Sequence, residues 1–196
     1  MSDEVRSALS GIEEIAGGVS SSVHPLDDLD VALLSALAED ARASQRALAK
    51  LLGVSTPTVS ERMTRLERAG VIRGYTAEID WAAVGFGETV YMTVSAVADY
   101  DVADIMRRLW EIPEVEEVHL VTGELDLLVR LRVRGSQHLK QLMMSRLWQI
   151  PGIQRSVTMT SVVEMPHKNF SADLLRSMRE PADTNTAQEQ NHTAGR

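Results

Sequence analysis

Apolar residues recur every three or four positions between residues 26 and 70, and every second position from residue 89 onward. That change of period divides the chain into a helical part and a mixed part. Leu29, Leu33, Leu34 and Leu37 share one face of a predicted helix, with Asp27 or Asp28 placed to cap its N-terminus. Ser44 caps a second helix that carries Leu48, Leu51 and Leu52 and stops at Gly53. Ser55 caps a third, with Pro57 in its first turn, Val59, Met63 and Leu66 on its apolar face, and Gly70 at its end.

The alternation over Thr89–Val97 predicts a strand, as it does over Val115–Val121, Leu127–Val133 and Val157–Val163. Helical spacing fills two of the gaps, Val102–Trp110 and Leu139–Trp148. An internal repeat joins these pieces. Arg108-Leu109-Trp110-Glu111-Ile112-Pro113-Glu114-Val115 returns as Arg146-Leu147-Trp148-Gln149-Ile150-Pro151-Gly152-Ile153. Each copy ends a helix on apolar anchors, turns at the proline and launches a strand. Two such units joined near Gly123 give the order βαββαβ, a ferredoxin-like antiparallel sheet with both helices on one face. The uncovered face favours pairing with another copy of the chain. Trp110 and Trp148 read as core or interface anchors.

The ends differ from this middle. Residues 1–25, rich in Ser, Gly and Glu, read as a flexible extension with a short helical pattern over Val5–Ile15. Residues 169–196 read as a mostly disordered tail with a short helical pattern around Ala172–Met178. The expected organisation is a helical domain over 26–75, a hinge over 76–86 and a βαββαβ domain over 87–168.

Composition narrows the function. The chain has no cysteine, so disulfides and thiolate metal sites are excluded. The acidic N-terminus lacks a signal-peptide run, and no stretch reaches the roughly 20 apolar residues of a membrane span, so a cytoplasmic protein without a membrane partner is expected. The formal net charge is −8, yet residues 42–75 carry Arg42, Arg46, Lys50, Arg62, Arg65, Arg68 and Arg73 against Glu61 and Glu67 alone. That block suits a phosphate backbone or a solvated basic face. His24, His119, His138, His167 and His192 lack metal-ligand spacing, and Gly85-Phe86-Gly87 lacks the context of a dinucleotide loop. No nucleophile–base pair stands out, so neither an enzyme nor a cofactor is expected.

Within the basic block, Ala49 sits where two helices cross closely, and Gly53 follows where the chain must turn sharply. These are the parts of a helix-turn-helix, and equally of a plain three-helix unit. Ser55, Thr56, Thr58 and Ser60 near the start of the third helix are short hydrogen-bonding groups that suit base edges, while Arg62, Arg65 and Arg68 suit phosphates. Gln45 opens the preceding helix and completes the candidate DNA-binding set. In the second half, Thr122-Gly123-Glu124-Leu125-Asp126 sets a glycine beside two carboxylates, which fits a solvated hairpin turn or a zwitterion site.

The chain resembles the Lrp/AsnC (leucine-responsive/asparagine regulator, feast/famine) family. The resemblance rests on Leu26-Asp27-x-Leu29-Asp30, Leu51-Leu52-Gly53-Val54-Ser55, and Val59-Ser60-Glu61-Arg62-Met63 running on to Gly70-Val71-Ile72-x-Gly74-Tyr75. It continues through His119-Leu120-Val121-Thr122-Gly123-Glu124-Leu125-Asp126 and Pro151-Gly152-Ile153, covering about residues 26–168. It implies a winged helix-turn-helix, a hinge strand near Ile72–Asp80 and a ligand-sensing βαββαβ domain. It further implies homodimers that assemble into octamers, double-stranded DNA as partner and an amino-acid effector. By position it assigns effector binding to Leu120, Gly123, Glu124, Asp126, Ser136, Met159, Thr160 and Ser161, with Asp126 binding the ammonium or orienting the loop. The alternatives are an architectural DNA-binding protein without a ligand and a metabolite-binding enzyme regulator.

Overall fold

The computed structural model describes Gly11, residues 23–166 and residues 168–179. The Val5–Ile15 pattern and the chain beyond residue 179 fall outside them, Gly11 apart. The chain divides into two compact units. One is formed by residues 23–77 together with the stretch from Pro166, the other by Glu78–Met165.

In the first unit, α1 spans Asp28–Glu39, α2 Gln45–Leu52 and α3 Thr56–Arg68. Asp27 caps α1 in a reciprocal capping box with Asp30, and Ser44 and Ser55 cap α2 and α3 through their hydroxyls. Each serine thus satisfies an amide that the first helical turn leaves unpaired. Gly53 turns the chain at φ +68, where a Cβ would be strained. Leu33, Leu37, Leu48, Ala49, Val59 and Leu66 form the core, with Leu34, Val54 and Met63 packed around it. Burying each large side chain contributes about 1.5–3 kcal/mol.

The short helical pattern expected around Ala172–Met178 is present and slightly longer. Phe170–Arg179 forms a helix, α6, which lies against α1. Ala172 is fully buried, and Asn169 both caps α6 by accepting from Ala172 N and donates to Ala38 O at 2.5 Å. Arg176 adds an ion pair to Glu39 at 3.4 Å. Val31 and Ser35 of α1 are buried yet stand outside the three-helix core. A ten-residue helix is marginal alone, so α1 supplies what local sequence does not.

The second unit holds β1 (Glu88–Ala96), α4 (Val102–Trp110), β2 (Val115–Leu120), β3 (Leu127–Val133), α5 (Ser136–Ser145), a 3-10 turn (Leu147–Gln149) and β4 (Ile153–Thr160). The sheet order is β2-β3-β1-β4 with every neighbour antiparallel, which is the ferredoxin-like arrangement. Val90, Met92, Val94, Leu127, Val129, Leu131 and Val133 face α4 and α5, meeting Ile105, Leu109, Leu142 and Leu147. Within the repeat, Leu109 and Leu147 are buried, whereas Trp110 and Trp148 are 64% and 61% exposed. The tryptophans are therefore not core residues of this chain. Gly152 after the second copy has φ +83, and a Cβ there would fall 2.1 Å from the Tyr100 ring.

Three boundaries differ from the periodic reading. The second helix breaks at Arg146 (φ −133, ψ −61) instead of running to Trp148. β4 begins at Ile153 and ends at Thr160, which pairs Val90 of β1, and the hydrogen bond from Ser161 N to Thr89 O at 2.9 Å marks the edge of the ladder. Val162 and Val163 lie past that edge, 94% and 83% exposed. Ile72–Asp80, expected as a hinge strand, carries no ladder within the described chain, since an extended segment needs a neighbouring strand to become one.

Candidate functional site

The exposed surface of α3 is built by what α3 buries. Val59 and Leu66 face the core, which turns Thr56, Pro57, Glu61, Arg65 and Arg68 outward, with Ser60 half-buried beside them. Pro57, Ser60, Glu61, Thr64, Arg65 and Arg68 line one shallow concave surface along the helix. Gln45 is exposed at the start of α2, and Arg42, Arg46, Lys50 and Arg73 are exposed as well. Among the described residues these last four and Arg68 form no ion pair. Their charges remain available to an anionic polymer. Glu61 and Thr64 share this surface. The i, i+3, i+4 spacing from Pro57 was the signal for them; reading only hydroxyls and bases passed over Glu61, and looking for hydroxyls only near the helix start passed over Thr64, whose own hydroxyl donates to Ser60 O at 2.9 Å.

Four of the expected DNA-binding side chains have work inside the domain. Ser55 Oγ accepts from Thr58 N at 3.2 Å and lies 2.7 Å from Thr58 Oγ1, so both hydroxyls serve the cap of α3. Arg62 Nη1 donates to Asp27 Oδ2 and, at 3.0 Å, to Asp30 Oδ1, while Arg65 Nη2 donates to Asp30 Oδ2. Asp30 is fully buried, and its carboxylate also accepts from Asp27 N at 3.2 Å. Two arginines on α3 thus clamp the N-terminus of α1 through a buried carboxylate. Arg62, only 26% exposed, is a structural residue here rather than a free phosphate contact; Arg65, 47% exposed, keeps part of its guanidinium toward solvent.

The clamp shifts titration. The Arg62 hydrogen bond holds Asp27 at about 2, below the ordinary 3.8. Burial pushes Asp30 upward, but hydrogen bonds from Arg62 and Arg65 outweigh it, and its carboxyl is also held low. Carboxylates depressed in the folded state contribute stability above their unfolded value and lose it as pH falls through the folded one. We therefore expect the first unit to lose stability as pH drops from about 3.8 to about 2. Acid unfolding followed by circular dichroism measures this, and Asp27→Asn should flatten the profile. An unaltered profile would show that the clamp is energetically silent.

In the second unit the tight turn between β2 and β3 presents Gly123 (φ +130) and Glu124, both exposed, next to Leu120. Asp126 is half-buried. Its Oδ2 accepts from Ala96 N at 2.7 Å, its own N–H donates to Val94 O at 3.0 Å, and its carbonyl accepts from Val121 N at 2.9 Å. Asp126 ties the turn to the end of β1, so the geometry supports the orienting role. Met159, Thr160 and Ser161 lie at the other end of the sheet, where Tyr91 pairs Met159 and Val90 pairs Thr160. Ser136, just after β3, starts α5 at that same end. By register Met159, Thr160 and Ser161 stand level with Arg130, Leu131 and Arg132, so they lie about 13–20 Å along the strands from Asp126 at ~3.3 Å per residue, with Ser136 farther still. One chain brings together Leu120, Gly123, Glu124 and Asp126, but not the other four.

The sheet face opposite the helices is mixed. A bulge between Val115 and Glu117 turns two carboxylates toward Arg130 and Arg132: Glu116 lies 3.3 Å from Arg130 and 3.0 Å from Arg132, and Glu117 lies 3.3 Å from Arg130. The Glu117 carboxyl is held below its ordinary value by the His119 hydrogen bond, opposed by burial and aided by Arg130. Toward β4 the same face exposes Tyr91, Val157 and Met159. No helix of the described residues is long and apolar enough to cross a membrane, and none of their acidic, histidine or cysteine side chains cluster as a metal site.

Residues 26–73 match the winged helix-turn-helix DNA-binding family model, and residues 89–168 match the Lrp/AsnC ligand binding domain. The chain is 31% identical over 144 residues to the HTH-type transcriptional regulator FL11 of Pyrococcus horikoshii, covering 74% of this chain and 93% of that protein. Among solved structures, a transcriptional regulator of Neisseria meningitidis in complex with L-Met superposes with a TM-score of 0.69 at 25% identity, over 73% of this chain and 94% of that one. Escherichia coli AsnC shares the fold, with a TM-score of 0.70 at 24% identity over 74% and 99% of the two chains.

Proposed function

The chain belongs to the Lrp/AsnC family of helix-turn-helix transcriptional regulators, and from this we infer that it reads double-stranded DNA as a homodimer whose activity a free amino acid adjusts. The observation that carries the reading is the outward face of α3, in a unit where Arg42, Arg46, Lys50, Arg68 and Arg73 are exposed and have no ion-pair partner among the described residues. Thr56 and Ser60 reach base edges, Glu61 accepts from a cytosine amino group, and Gln45, Arg46 and Arg68 hold phosphates. Dimerisation uses the uncovered sheet face, where Tyr91, Val157 and Met159 lie beside the carboxylate–arginine cluster. Further pairing of dimers into octamers buries exposed Trp110 or Trp148.

The effector sits where the Gly123–Asp126 turn of one chain meets Ser136 and Met159–Ser161 of another. That meeting of copies is the reason for proposing an interface, since a single chain holds the two groups at opposite ends of its sheet. Effector binding then biases how copies pack and, through that, which DNA spacings they bridge. The family relative from Neisseria meningitidis solved with L-Met supports an amino acid as the class.

Fluorescence anisotropy with genomic duplexes tests the DNA reading. Glu61→Ala is expected to relax preference at one base position by about 1–3 kcal/mol, whereas Arg68→Ala weakens all sequences alike. Equal loss for every sequence in Glu61→Ala would remove its base-reading role. Asp126→Ala should abolish the response of DNA binding to amino acids while leaving binding itself. A mutant that still responds would sink the loop assignment, and a wild type that binds DNA yet responds to none of the amino acids would favour the architectural alternative.

A further inference from the structure

The chain passes between its two units twice. Residues 73–80 lead from the end of the helix-turn-helix into the second unit, and residues 161–169 lead from β4 back to the first. Neither stretch forms helix or strand among the described residues. The first connector is seated at both ends. Val71 N and Ile72 N donate to Leu66 O at 2.9 and 3.2 Å within the first unit. In the second, the turn over residues 81–86 is closed by Gly85 N to Ala82 O at 3.0 Å and Phe86 N to Trp81 O at 2.8 Å, with the Arg134 guanidinium 4.8 Å from the Phe86 centroid.

The second connector has little packing of its own, since Val162, Val163 and Met165 are exposed. It too is held at both ends. Ser161 N donates to Thr89 O at 2.9 Å, which fixes its start to the sheet. At the far end α6 seats it on α1: Ala172 is fully buried, Leu175 is half-buried, Asn169 donates to Ala38 O and Arg176 pairs with Glu39. α6 starts at Phe170, past residue 168 where the match to the ligand binding domain ends. This second attachment is therefore added to the two-domain plan that the chain shares with its family.

Magnitudes show what it changes. A connector of about eight residues spans at most ~27 Å. A unit on a single connector swivels about one point, so the two recognition helices of a dimer can change their separation by up to roughly 55 Å. That exceeds the ~34–36 Å between half-sites one helical turn apart, and a singly tethered pair has little means of telling one spacing from another. Two connectors that meet the unit at different points, the end of α3 and the surface of α1, remove the swivel.

We propose that α6 is a second anchor, which together with the 73–80 connector fixes the orientation of the DNA-binding unit and confines the dimer to a narrow set of half-site spacings. Its effect on spacing rests on the DNA reading; the anchoring itself does not.

Single-molecule energy transfer between dyes on Ala41→Cys and Lys140→Cys, both exposed positions in a chain without cysteine, reads the anchoring with no DNA present. Labelled chains diluted into unlabelled ones place one dye pair in each assembly. Two variants release the anchor by different means. Ala172→Asp sets a carboxylate in the buried contact of α6 with α1. A Gly-Ser insertion of about twelve residues between Met165 and Pro166 leaves α6 seated and adds roughly 20 Å of reach. Each should widen the distance distribution about twofold or more. Fluorescence anisotropy with duplexes whose half-sites are moved apart one base pair at a time reads the consequence. Half a helical turn from the best spacing, the parent chain should lose at least about tenfold in affinity and the insertion variant no more than about threefold.

If Ala172→Asp fails to fold, the insertion decides. Distances as narrow in the insertion variant as in the parent overturn the anchor. A widened distribution with an unaltered spacing profile overturns its part in spacing. A parent chain that binds no duplex overturns the DNA reading and the spacing effect with it, while widened distances in the insertion variant still support the anchor.

Discussion

Arg62→Met should lower the melting temperature of the first unit by on the order of 10–20 °C. The substitution keeps most of the side-chain volume and removes the charge that faces Asp27 and Asp30. Asp30 is buried at 1% side-chain exposure and would keep only Arg65, while the neighbouring Asp27 carboxylate would press against it unscreened. Breaking a buried pair costs about 3–5 kcal/mol, and because Arg62 is itself 26% exposed and Arg65 remains, about 2–3 kcal/mol is the fairer figure. A domain of this size shifts by about 4–8 °C per kcal/mol. Thermal unfolding measures the change, and a shift under about 3 °C would mean the clamp contributes little. A second measurement separates its two conceivable roles. At low temperature, where the variant is folded, DNA affinity should stay near that of the wild type; a large loss there would restore Arg62 to the phosphate-binding set.

Raising salt from about 50 to 200 mM should weaken DNA binding by about a thousandfold. Arg42, Arg46, Lys50, Arg68 and Arg73 are exposed and form no ion pair among the described residues, so their charges are not spent within the first unit. If three of the five meet phosphates in each half of a dimer, six counterions' worth of charge is neutralised, for a log–log slope of about −5. The net charge of −8 does not oppose this, because the Debye length of about 8 Å at physiological salt screens acids elsewhere on the chain from that face. Arg68→Ala should reduce the slope by about one per half-site engaged. A slope near zero would show that these cations do not meet the duplex.

The helical unit was legible in the sequence because its signals are local. Asp27, Ser44 and Ser55 cap the helices they were expected to cap, and Gly53 takes the left-handed turn that its position demanded. The repeat ending at Pro113 and Pro151 carried the βαββαβ order, since each copy spells helix, turn and strand within eight residues. The Asp27–Asp30–Arg62–Arg65 clamp was not legible. Its partners stand 32 to 35 residues apart, and an arginine on a basic helix looks the same whether it faces a phosphate or a buried aspartate. Asp126 gave half its role away: a carboxylate in a turn is visible in sequence, but the Ala96 amide it receives lies 30 residues upstream.

Sequence alone therefore determined the elements and their order, because caps, turns and hydrophobic periods act over three to eight residues and need no partner. It also determined the basic block, which is a matter of counting. Tertiary structure decided which charges remain free, that α6 folds on α1, where β4 starts and stops, and that the expected effector residues stand at two ends of one sheet. Each of these depends on what a distant segment offers in burial, ladder or counter-charge, and the free energy of such contacts exists only once the chain has closed on itself.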